Sequence, residues 1–122
     1  MYKYGIDIPP HTKIVSGLYI GHFGCIRVSP NVIIGKNCNV SPWIAIGQVN
    51  RGVRKGWPVI GDNVYIGRGA KIIGNITIGN NVAIGANCVV TLDIPDNAVV
   101  VGIPGKVISY KGSEGYINNI DY

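Results

Sequence analysis

Two histidines and six acidic residues are all that a chain of 122 residues offers for ordinary proton transfer, and they are unevenly placed. His22 stands in the run "GLYIGHFG", between Gly21 and Phe23. A neutral imidazole is the side chain best matched to accepting a proton near pH 7. A histidine among glycines equally suits a corner of the chain with no chemistry at all, so residue type alone leaves both readings open. Asp7 is the one acid before it. From there to Asp62 no acid occurs, whereas Lys13, Arg27, Lys36, Arg51, Arg54 and Lys55 all fall in that interval. Such a bias attracts anions, or is a plain solvated basic surface. The basic residues are not interleaved with aromatics as in nucleic-acid platforms, so no nucleic-acid partner is expected. Cys25, Cys38 and Cys88 fit neither a disulfide framework nor a CxxC metal site and read as reduced thiols; no metal is expected.

The elements that must position these residues follow from a repeat. Isoleucine and valine recur throughout, while leucine occurs only at Leu18 and Leu92. Eighteen glycines and seven prolines punctuate the chain at short intervals, which predicts many short strands and almost no helix. Ile8, Ile14, Ile20, Ile26 and Val32 are six residues apart; so are Ile34, Val40 and Ile46, and so are Ile60, Ile66, Ile72, Ile78, Ile84 and Val90. Glycine often follows, as at Gly35, Gly47, Gly61, Gly67, Gly79 and Gly85. Four places after many anchors comes a second small or apolar residue, among them Cys38, Ile44, Val64, Ala70, Ile76, Val82 and Cys88. Two inward positions per hexad, separated by turn residues, describe a short strand and a corner; an amphipathic helix would space them three and four apart. The period breaks twice, by a two-residue slip between Val32 and Ile34 and by eight extra residues between Ile46 and Ile60. The second break predicts an extruded loop over about 48–59, and a tail follows over about 109–122.

The whole chain, 1–122, reads as one domain, of a size at which self-association often completes a core. No run reaches the roughly 20 apolar residues of a membrane span. The N-terminus, "MYKYGIDIPP", lacks the apolar core of a signal peptide, so the expected location is cytoplasmic.

The repeated [Ile/Val]-Gly-x-x-x-x motif over residues 5–108 resembles the hexapeptide-repeat acyltransferases. That resemblance implies an all-β fold, a left-handed parallel β-helix (a hexapeptide-repeat solenoid) with one extruded loop. It also implies a homotrimer with active sites between subunits and acetyl-CoA as co-substrate. Within the family the chain is most similar to the serine acetyltransferases, where an aspartate in a Val/Ile-Asp-Ile-His-Pro segment lies fifteen residues before the catalytic histidine. Here Ile6-Asp7-Ile8-Pro9-Pro10 is followed, fifteen residues after Asp7, by His22. The resemblance thus implies His22 as the general base and Asp7 as the carboxylate that fixes its tautomer and stabilises the imidazolium. His11 falls at an ordinary turn.

For the donor, the same motifs imply Gly47, Gln48, Gly67, Arg68, Gly85, Ala86, Thr91 and Lys106. The last lies in "VVTLDIPDNAVVVGIPGKVI" near the CoA phosphates. Leu92 stands where many relatives have lysine.

The acceptor is less plain. The serine enzymes have an acidic residue before the catalytic histidine, a glutamate eight residues after it, and Arg-His-Pro closing the loop. This chain has Gly21, Pro30 and Gly56-Trp57-Pro58. The expected acceptor is therefore a sugar hydroxyl, as in short acetyltransferases of surface and capsular polysaccharide synthesis, with Trp57, Arg51 and Arg54 at the substrate. Trp43 offers a second apolar face that fits a ring or a core. Serine remains the alternative acceptor. A trimeric β-helix of the carbonic anhydrase type would need three histidines around a metal. A non-catalytic trimeric scaffold is the reading of another class.

Overall fold

The computed structural model describes residues 6–7, 13–14, 18–20, 26–52 and 55–113, in which fifteen strands of two to four residues form three sheets and no helix. The first sheet, A, contains β1 (Ile6–Asp7), β4 (Ile26–Val28), β7 (Ile44–Gly47), β10 (Lys71–Ile73) and β13 (Val89–Val90) in that order. Sheet B contains β2 (Lys13–Ile14), β5 (Ile33–Ile34), β8 (Val59–Ile60) and β11 (Thr77–Ile78). Sheet C runs through β3 (Tyr19–Ile20), β6 (Asn39–Val40), β9 (Tyr65–Ile66), β12 (Ala83–Ile84), β14 (Val99–Val101) and β15 (Lys106–Ser109). From β1 to β13 successive strands visit A, B and C in turn, so the chain is a three-sided parallel β-helix, and it has the left hand of the hexapeptide-repeat fold. That hand departs from the usual right-handed crossover.

Register shows what each hexad does. Val28, Ile46, Ile72 and Val90 stack inward on face A. Ile34, Ile60 and Ile78 stack on face B, with Ile94 continuing the row. Val40, Ile66, Ile84 and Val100 stack on face C. Each of these side chains is at most 7 % exposed. The second inward residue of each hexad fills the space at a corner, for example in the column Cys38, Val64, Val82 and Ala98, all fully buried. Every buried side-chain nitrogen and oxygen among the described residues has a hydrogen-bond partner.

The structure moves one break in the repeat. Ile14 pairs with Ile34 and Ile20 with Val40, twenty residues on, whereas Ile26 pairs with Ile44, eighteen on. The two extra residues therefore lie between Ile20 and Ile26, not between Val32 and Ile34. Ile26 and Val32 are both fully buried, but at second inward positions; Val28 is the anchor that Ile26 was expected to be. An apolar six-residue spacing continued by chance through the insertion, which is why the period alone misplaced it. The connection that carries the insertion, 21–25, is the one containing His22.

Two further features depart from a plain parallel solenoid. The long loop folds back on itself, with Val49 and Gly56 exchanging backbone hydrogen bonds of 2.8 Å each way, and β8 resumes at Val59, one residue inside the expected loop. At the far end β15 runs antiparallel to β14. The turn between them closes over sheet A, Val89 N–H donating to Gly102 O (3.1 Å) and Gly105 N–H to Val89 O (2.8 Å). The first residues of the tail then descend the outside: Gly112 N–H donates to Asn97 O, Ser113 N–H to Asn81 O and Ser113 Oγ to Asn63 O (2.7 Å).

Glycine after the anchor is a steric requirement at the corner between faces B and C. A Cβ on Gly61 would lie 2.5 Å from Asn80 Oδ1 and 2.7 Å from Gly79 O. Gly61→Ala is expected to lower stability by about 1–3 kcal/mol, the usual range for overpacking, in urea unfolding followed by circular dichroism. An unchanged midpoint would mean that the coils can separate there at little cost.

Candidate active site

Each corner of the solenoid is a column of turns, and the candidate residues occupy two columns that flank sheet A. The corner entering sheet A holds Gly67-Arg68, Gly85-Ala86 and, at its end, the 102–105 turn that leads to Lys106. These turns are bonded coil to coil: Gly67 N–H to Ile84 O (2.8 Å), Asn87 N–H to Arg68 O (2.7 Å) and Gly85 N–H to Val100 O (2.8 Å). Arg68, Ala86 and Lys106 are exposed. A Cβ on Gly67 would lie 2.8 Å from Ala86 N, so the glycine permits the close stacking. The corner leaving sheet A holds Gly47, Gln48 and Thr91. Gln48 N–H donates to Ser29 Oγ (3.1 Å), its side-chain Nε2 to Asn50 Oδ1 (2.9 Å), and Gly74 N–H to Gly47 O (3.0 Å). From this corner the loop projects with Arg51 exposed and Trp57 42 % exposed.

The structure thus gathers the donor candidates along both edges of one face rather than in one spot. Asp7 lies on that same face, its backbone in register with Arg27, which is followed by Ala45, Lys71 and Val89. His22, His11, Cys25 and Arg54 lie outside the described residues. Among the described residues no cluster of three or more His, Cys, Asp or Glu could hold a metal ion.

Three residues that sequence reasoning did not place in the site stand out. Lys71 on β10 is half-buried, and its Nζ donates to Trp43 O (2.9 Å) and Gly69 O (2.8 Å), tying together two turns of the entering corner. Trp43 is 53 % exposed and has φ 66°. Arg27 is exposed on the outer side of β4. The signal available in the sequence was register, clearest at Arg27, which stands one coil from Asp7.

Among the described residues both thiols, Cys38 and Cys88, are buried. Burial pushes Cys38 from 9.0 up to about 11, with the backbone of Val64 pulling the other way and the Asp62 charge adding to the rise. Its Sγ donates to Gly61 O at 3.2 Å. Burial also raises Cys88.

These features define a class, the hexapeptide-repeat β-helix, and the comparisons agree: residues 58–91 match the family described as bacterial transferase hexapeptide (six repeats), to which the chain belongs. Within that class the similar proteins are serine acetyltransferases. The enzyme of Synechococcus elongatus is 38 % identical over 108 residues, 88 % of this chain and 44 % of the relative. The crystal structure of Neisseria gonorrhoeae serine acetyltransferase in complex with serine matches with a TM-score of 0.75 and 36 % identity over 84 % of this chain and 42 % of that one. The Brucella abortus serine acetyltransferase in complex with coenzyme A matches with a TM-score of 0.76 and 30 % identity over 84 % of this chain and 41 % of that one. The chain therefore spans less than half the length of these relatives.

The Cys38 shift has a signed consequence. The unfolded thiol ionises near 9.0 and the folded one near 11. This contribution to stability is therefore intact below pH 9 and is lost as pH rises through 11. In urea unfolding, Cys38→Ala should lose less stability than the native chain between pH 8 and pH 10.5. Alanine is tolerated in the column, where Ala98 already stands. Parallel pH profiles would show that Cys38 ionises as freely in the fold as outside it.

Proposed function

We propose that the chain is the catalytic β-helix of an acetyl-CoA-dependent O-acetyltransferase, and that its acceptor is the hydroxyl of L-serine. The observation that carries this is similarity over most of the chain to serine acetyltransferases, two of them solved with serine and with coenzyme A. Those relatives favour serine over the sugar hydroxyl that the pocket departures suggested, and polysaccharide synthesis is set aside as the preferred reading. Exposed Trp57, at the loop end where the serine enzymes have histidine, is the feature that favours a ring-shaped acceptor as the second reading.

In this mechanism His22 takes the proton of the acceptor hydroxyl as the oxygen attacks the thioester carbonyl. Asp7 orients the imidazole and stabilises the imidazolium. The tetrahedral intermediate collapses with loss of the CoA thiolate, to which the imidazolium returns its proton. The corners offer the donor their exposed tips, Arg68 and Ala86, while the N–H groups of Gly67 and Gly85 are themselves engaged with Ile84 O and Val100 O. Lys106, Arg68 and the loop cations Arg51 and Arg54 offer positive charge to its phosphates or to the acceptor. The assembly implied by the fold class is a homotrimer with these faces at subunit boundaries. No helix among the described residues is long and apolar enough to cross a membrane.

His22→Ala is expected to lower kcat by about 10²–10⁴-fold in thiol release from acetyl-CoA with L-serine. Asp7→Asn should also lower it, through the wrong tautomer. Full activity in His22→Ala would refute the assignment, and release with a sugar but not with serine would promote the second reading.

A further inference from the structure

The corner that enters sheet A carries a backbone anomaly. Trp43 has φ 66°, and the matching positions of the next two coils are Gly69 at φ 76° and Asn87 at φ 59°. Glycine and asparagine accept this left-handed conformation; a bulky side chain does so at a cost. Packing within the chain does not explain the choice, because the tryptophan is 53 % exposed. Its carbonyl is nonetheless clamped by Lys71 Nζ, which also holds Gly69 O. An unfavourable residue held in place with its side chain in solvent points to function.

Its neighbours show which function. Residues 41–43 connect β6 to β7, and these strands pair with β3 and β4, whose own connection is 21–25. Trp43 therefore belongs to the turn one coil from the segment of His22. Arg27 follows that segment on β4, in register with Asp7 on one side and Ala45 on the other. Ala45 is small and half-buried. With strands about 4.8 Å apart, the short Ala45 stands on face A beside exposed Arg27 of the neighbouring coil and two residues after exposed Trp43.

We propose that Arg27 and Trp43 form the acceptor-recognition site. The guanidinium binds the carboxylate of a small hydroxy-amino acid, and the indole packs its carbon body and faces its ammonium, leaving the hydroxyl for His22. The proposal rests on the acetyl-transfer reading above and narrows its acceptor to a hydroxyl compound that bears a carboxylate. It also supplies the charge complement that Pro30 and Trp57 do not.

The test is thiol release from acetyl-CoA by the full chain with L-serine and with ethanolamine, which keeps the amine and hydroxyl but lacks the carboxylate. Native chain, Arg27→Gln, Arg27→Lys and Trp43→Gly are compared. Arg27→Gln is expected to raise KM for L-serine about tenfold or more, with kcat little changed and the preference over ethanolamine abolished. Arg27→Lys should recover part of it. Trp43→Gly should raise KM for L-serine while raising the melting temperature, because glycine relieves the left-handed backbone.

An unchanged KM in Arg27→Gln would overturn the proposal. So would an equal loss of kcat with both acceptors, which would make Arg27 a positioning residue for Asp7. A lower melting temperature in Trp43→Gly would return the indole to a packing role and overturn its part. Acetyl-CoA binding without release to either acceptor in the native chain would refute the serine reading itself, and this proposal with it. That pattern is distinct from native turnover with indifferent variants.

Discussion

Every residue of the solenoid lives about 4.8 Å from its equivalents in the coils above and below, and that in-register parallel stacking is the constraint from which the rest follows. Inward, it demands side chains that tile on themselves, which isoleucine and valine do. At the corners it brings turn against turn so closely that the residue after the anchor has no room for a Cβ at Gly61 and Gly67. It also supplies partners for the turn amides: Lys36 N–H donates to Asp62 Oδ1, Asp62 N–H to Asn80 Oδ1, and Asn80 N–H to Asp96 Oδ1, at 2.7–2.9 Å. The left-handed residue that reverses each of these turns is Asn37, Asn63, Asn81 or Asn97. Two adjacent columns of short polar side chains share the task, one bending the chain and the other satisfying the bend.

This is why the fold was legible in the sequence and the site only partly so. A period of six, with glycine next to the anchor, is written once per hexad and repeated many times, so a single error does not hide it. The insertion near His22 occurs once, and Ile26 and Val32, apolar at the expected interval, concealed it. The reversal into β15 was also hidden, because its residues alternate like any other strand and only the Gly102–Gly105 turn marks the change of direction. For the site, the donor candidates rest on a resemblance of motifs, and the repeat fixes only where they stand. The sequence does not place Lys71 and Arg27 at the site, and leaves Trp43 between a ring and a core, because their neighbours lie in the next coil, eighteen to twenty-eight residues away in sequence, and no local pattern reports that distance.

The stacking also separates stability from function. Stability resides in the inward columns and the glycine corners, where each position is pinned from two sides. The outward side chains of a face carry less of this constraint, although Lys71 ties two turns together. A loop can leave the corner after Gly47, fold back through Val49 and Gly56, and rejoin at β8 without disturbing the register of Ile46 with Ile72 or Ile34 with Ile60. The end of the stack, where an open edge would otherwise remain, is closed by the antiparallel β15 and by the 102–105 turn across Val89.

That separation bears on how the acceptor could differ between proteins that share one donor. In the proposed reading, acetyl-CoA is held largely by backbone at corners whose glycines the stacking itself requires, so the donor site survives wherever the repeat survives. The acceptor instead meets side chains on the outer surface of sheet A and its corners, which the repeat leaves free to vary. Loss of a charged group at Pro30 or at the loop end therefore does not by itself exclude an amino-acid acceptor. In the proposed reading the guanidinium of Arg27 on β4, which is in register with Asp7 on the same face, takes over that charge from the neighbouring coil. Recognition in this architecture belongs to a face rather than to a fixed list of positions, and motif comparison alone underestimates what the face can bind.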